Sequence, residues 1–79
     1  MRLLFFAQLR DATGCASADL PAPTPLTAEQ LWTKLLVQFP SLAPHRSCVR
    51  LARNCEYADD TTRFADADEV ALIPPVSGG

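Results

Sequence analysis

Pro75-Val76-Ser77-Gly78-Gly79 is the stretch of this 79-residue sequence whose residue types point most directly at chemistry. A chain that stops on Gly-Gly presents a carboxylate with no side chain on its final two residues. Its backbone is narrow and open to positive φ, so it can thread a slot that any Cβ would block. Just before it, Pro74-Pro75 fix φ and remove two backbone donors, which stops sheet pairing and projects the end outward as a short stiff rod. Five extended residues reach roughly 16–18 Å, enough to enter a partner's pocket while the body stays outside. The reacting group is then the Gly79 carboxyl, with Gly78 supplying clearance.

The other chemistry-bearing residues make no comparable pattern. Cys15, Cys48 and Cys55 are odd in number and lack C-x-x-C spacing, which fits neither a disulfide framework nor a zinc site. Cysteine acting as a small hydrophobe accounts for them, with Cys55, beside Asn54 in a turn, the one thiol placed to carry sulfur. His45 is the only histidine, sits in a Pro-containing loop and has no evident nucleophile partner. The acids Asp66, Asp68 and Glu69 have no metal-ligand spacing and read as a solvated turn, or, with Arg10, as charges that steer a partner. No nucleophile–base pair is evident, so an enzyme acting alone is poorly supported.

Composition narrows the class further. One small domain is expected, and 48% hydrophobic residues argue against disorder and leave apolar surface for a partner. A net charge of −2 and a pI near 5.1 give no basic footprint for nucleic acid. No apolar run reaches membrane-spanning length, and Met1-Arg2-Leu3-Leu4-Phe5-Phe6 is too short for a signal peptide, so the cytoplasm is the expected compartment.

The elements that must hold the tail can be read in order. Arg2 to Arg10 reads as a strand, with Leu3, Phe5, Ala7 and Leu9 on one face and Leu4, Phe6, Gln8 and Arg10 on the other. Asp11-Ala12-Thr13-Gly14 reads as a turn, and Cys15 to Leu20 as a weak returning strand. Pro21 to Pro25 is an extended connection. Thr27 and Gln30 form a T-x-x-Q capping box, with Leu26 and Leu31 at the staple positions. Ala28, Leu31, Trp32, Leu35, Leu36 and Phe39 then recur at helical spacing as one apolar stripe, and Pro40 ends the helix. Ser41 to Ser47 reads as a loop, and Cys48 to Arg53 as a strand with Val49 and Leu51 facing inward and Arg50 and Ala52 toward a wetter side. Asn54-Cys55-Glu56 turns, Tyr57 begins a short strand, and Phe64 is an isolated apolar anchor. Glu69 to Ile73 is the last strand.

This order fits an α+β fold of the β-grasp, or ubiquitin-like, type: one main helix on a mixed sheet of four to five strands. Its first and last strands run parallel at the centre. The body is residues 1–74 and the projecting tail is 75–79. If Leu3, Phe5, Val70 and Leu72 meet the helix, Phe6 and Ile73 lie on the opposite face as a hydrophobic anchor near the tail's root.

Leu4-Phe5-Phe6-Ala7-Gln8-Leu9-Arg10, Asp66-Ala67-Asp68-Glu69-Val70-Ala71 and Pro74-Pro75-Val76-Ser77-Gly78-Gly79 together resemble the small subunit of molybdopterin synthase, the MoaD family. The resemblance spans the whole chain. It implies a sulfur carrier with no stably bound cofactor. An adenylyltransferase related to ubiquitin-activating enzymes uses ATP-Mg to convert the Gly79 carboxylate to an acyl-adenylate, and a sulfur donor protein then makes the thiocarboxylate. Sulfur passes to cyclic pyranopterin monophosphate inside the large subunit, in a two-plus-two heterotetramer. The resemblance also marks Tyr57 as an interface position and makes Ile73, Pro74, Pro75, Val76 and Ser77 part of the partner-binding stretch. A carrier for thiamine or tRNA thiolation, and a ubiquitin-like modifier that joins Gly79 to lysines, are the alternatives.

Overall fold

A computed structural model describes residues 1–74, and the expectations for Pro75, Val76, Ser77, Gly78 and Gly79 lie outside the described residues. Strand β1 (Arg2–Phe5) leads through helix α1 (Gln8–Thr13) to β2 (Ser17–Asp19). Helix α2 (Ala28–Gln38) and a 3₁₀ helix (Pro40–His45) follow, then β3 (Arg50–Arg53), β4 (Glu56–Tyr57) and β5 (Glu69–Ile73). The five strands form one sheet in the order β2-β1-β5-β3-β4. β1 and β5 are parallel neighbours, in the register Leu3↔Val70 and Phe5↔Leu72, and the other pairings are antiparallel. This is the β-grasp arrangement, with the last strand bonded on both sides.

Side-chain parity decides which face is covered. Leu3, Phe5, Val70 and Leu72 are fully buried with Leu31, Trp32 and Leu35 of α2 in a single core. Each large side chain removed from water in this way contributes about 1.5–3 kcal/mol before entropy is charged against it. α2 starts where the sequence places it. The Thr27 hydroxyl accepts from the Gln30 N–H at 3.1 Å, and the Gln30 side chain accepts from the Thr27 N–H at 2.9 Å. Leu26 and Leu31 are both buried beside this cap. Phe64 has no exposed surface and exchanges two backbone hydrogen bonds with Leu26, so it pins its polar connection to the helix entry.

Three expectations are corrected. The first strand stops at Phe5 rather than Arg10, because Ala7 takes φ 51° and turns the chain into α1. Leu9 is buried as expected, but it reaches the core from a helix four residues beyond Phe5. Gly14 then caps α1 with φ 78°, its N–H donating to the Arg10 carbonyl. The second correction is Ser41 to Ser47, much of which is 3₁₀ helix: Pro40 starts it with the φ a helix needs, and fully buried Leu42 holds it to the core. Finally, β3 begins at Arg50 rather than Cys48, and Ala52 is buried despite lying on the side expected to be wetter.

Acidic side chains fasten the turn before β5. Asp68 accepts from the Ala65 N–H at 2.7 Å and from the Asn54 amide at 3.0 Å. Asp66 accepts from the Ala22 N–H at 3.0 Å and pairs with the Met1 amino group at 3.3 Å. The Ala65 N–H lowers the Asp68 carboxyl, and the Ala22 N–H followed by the Met1 amine lowers Asp66. Both acids therefore hold their protons less tightly folded than unfolded. The stability they lend is complete above the unfolded value of about 3.9 and is lost as pH falls through the lowered folded values. Thermal midpoints should hold steady from neutrality to about pH 5, then fall below about pH 4. Asp68→Asn should show a smaller acid-induced drop, and an equal drop in parent and variant would refute the assignment.

Candidate functional site

On the sheet face away from α2, Phe6, Ala52, Cys55, Tyr57, Ala71 and Ile73 line one shallow apolar depression of about 260 Å³. Ladder register explains why they meet. Ala52 lies opposite both Ala71 and Tyr57, and Ile73 lies opposite Arg50. Two alanines give a low floor, while Phe6 and Tyr57 stand higher, 42% and 60% exposed. Phe6 gets its position from the end of β1: it follows the last paired residue, just before Ala7 bends the chain away.

The rim beside Tyr57 is built by the β3–β4 hairpin. Asn54 and Cys55 take φ 50° and 72°, the left-handed pair that a two-residue hairpin requires. Asn54 also fastens the hairpin to the base of β5, its side-chain oxygen accepting from the Glu69 N–H at 3.0 Å. The Arg50 guanidinium lies 4.3 Å from the centre of the Tyr57 ring and limits that ring's freedom.

Of the residues singled out in the sequence, Phe6, Tyr57 and Ile73 converge here, and Pro74 follows directly where β5 ends. Cys55 is exposed on the rim, Cys48 is exposed elsewhere, and Cys15 is half-buried with its Sγ 3.8 Å from the Thr13 hydroxyl. His45 ends the 3₁₀ helix, and its carbonyl accepts from the Cys48 and Val49 N–H groups. Asp66 and Asp68 are occupied in holding their turn. Ala52, Ala71 and Arg50 are not site candidates in the sequence, although two-residue periodicity places Ala52 with Arg50. No helix among the described residues is long and apolar enough to cross a membrane.

A β-grasp body with α2 on one face and an apolar depression on the other, where the last strand ends, defines a ubiquitin-like protein. The chain belongs to the ThiS family, whose profile matches residues 3–79, and within it to the molybdopterin synthase sulfur carrier subunits. Such a subunit from Arabidopsis thaliana is 42% identical over 79 residues, covering all of this chain and 82% of the relative. Among solved structures, SAMP1 of Haloferax volcanii superimposes with a TM-score of 0.83 at 27% identity, over 99% of this chain and 97% of that one. The complex of subunits 1 and 2 of the molybdopterin-converting factor from Helicobacter pylori contains a chain with the same fold. That match has a TM-score of 0.69 at 23% identity, over 99% of this chain and 96% of that one.

Proposed function

We propose that this chain carries sulfur on Gly79 for the synthesis of molybdopterin, and that the Phe6–Tyr57–Ile73 face seats it on the large subunit. The observation that carries the reading is spatial: the apolar depression adjoins the end of β5, the strand that leads into the Gly-Gly sequence. A partner seated there holds the root of the tail while its own pocket receives the end.

The chemistry follows from the terminal group. A carboxylate with a pKa of about 3.5 is ionised at neutral pH and resists nucleophilic attack. The adenylyltransferase, using ATP-Mg, first joins the Gly79 carboxylate to AMP and releases pyrophosphate. Sulfide-level sulfur from a donor protein then attacks the acyl carbon, displaces AMP and leaves a thiocarboxylate, which gives its sulfur to cyclic pyranopterin monophosphate within the large subunit as water restores the Gly79 carboxylate. This chain supplies the reactive end and the docking face. The catalytic side chains belong to the partner, in a two-plus-two assembly in the cytoplasm.

The relationship to SAMP1, a small archaeal modifier protein by name, keeps conjugation to lysines as the contrasting outcome. Intact-mass measurement of the chain isolated from its own cells decides between them. The carrier reading expects a species heavier by the difference between one sulfur and one oxygen atom. Isopeptide conjugates without any such species would overturn it.

A further inference from the structure

Arg50 borders the proposed docking face through two of the residues that line it. Its guanidinium rests on the Tyr57 ring, and its backbone pairs with Ile73, the last residue of β5. Tyr57 and Ile73 both line the depression. Among the described residues no carboxylate lies within ion-pair distance of Arg50.

The ends of the sheet differ in charge. Where β1 begins, Arg2 lies beside Glu69, at 3.9 Å, and the acidic turn follows the same edge. β3 runs antiparallel to β5, so Arg50 stands at the other end, where the chain passes toward the tail. A protein of net charge −2 thus keeps, at the end of its last strand, a cation that no carboxylate among the described residues pairs with.

Any surface covering Phe6, Tyr57 and Ile73 must also cover the guanidinium stacked on Tyr57. Burying that charge without an acceptor opposes binding, whereas a facing carboxylate turns it into a planar, two-point contact. Resting on the ring, the guanidinium has already given up much of its freedom, so little more is lost when it pairs. We propose that Arg50 selects the large subunit by pairing with a carboxylate which that subunit presents beside the root of the tail. The proposal rests on the docking reading above.

The test uses the full chain and the large subunit from the same organism, with dissociation constants measured at low and high salt. Arg50→Met keeps the apolar stem and removes the charge. Binding should weaken about 30-fold at low salt and depend less steeply on salt. Arg50→Glu should weaken it further, and thermal melts should match the parent because the side chain is exposed. If Arg50→Met binds like the parent with an unchanged salt dependence while Phe6→Asp fails to bind, this inference is overturned and the docking reading survives. If Phe6→Asp also binds normally, the docking reading itself falls. If Arg50→Met slows loading by the adenylyltransferase but leaves large-subunit affinity alone, the carboxylate belongs to the activating enzyme and the assignment made here is wrong.

Discussion

Deleting Gly79 should give a chain that folds and docks normally yet supports no molybdopterin synthesis. The described core lies within residues 1–74, so the thermal midpoint should stay with that of the parent. The deletion moves the terminal carboxylate back one residue, about 3.3–3.6 Å short of its place. Reacting groups must sit within about 3–3.5 Å of one another, and small misplacements already cost orders of magnitude in rate. Gly78→Trp should fail for a different reason, since it retains the reach and blocks the slot. Reconstituted synthesis with purified large subunit and precursor measures both, alongside intact mass to separate failed loading from failed transfer. Wild-type turnover by either variant would mean that the end is not threaded.

Phe6→Asp is the second large effect, and it should appear in association alone. Phe6 is partly exposed, lies outside the buried core and follows the last residue of β1, so an aspartate there meets water in the free chain. In the complex the same carboxylate would be buried against apolar surface, and the contribution of a central aromatic would be lost with it. Affinity for the large subunit should fall on the order of 100-fold, the scale of an interface hot spot. Calorimetric titration reads the loss, and a melt within a degree or two of the parent shows that folding is intact. Unchanged affinity would remove the depression from the interface.

The features legible in the sequence were those fixed by short-range chemistry. The Thr27–Gln30 capping box, the apolar stripe of α2 and the limits of β5 each rest on residues a few positions apart, and the structure reproduces them. The open-face position of Phe6 and Ile73 followed from counting in twos from the core residues. Arg2 to Arg10 reads as one strand because Leu3, Phe5 and Leu9 satisfy alternation, yet the chain turns at Ala7, a residue whose type gives no warning of φ 51°. The 3₁₀ helix was hidden by Pro40 and Pro44, which read as breakers although the first is suited to starting a helical turn. Arg50 carries no local signal because its meaning depends on Tyr57, seven residues away and brought alongside only by the β3–β4 hairpin.

The placement of β5 between β1 and β3 has a mechanical consequence. Its inter-strand bonds lie across the strand on either side, from Glu69 through Ile73. Force applied by whatever grips the residues beyond Ile73 is therefore shared by two ladders loaded in shear, rather than peeling one bond at a time from an edge. Repeated seizing and release of the tail can pull on this body without starting to unravel it.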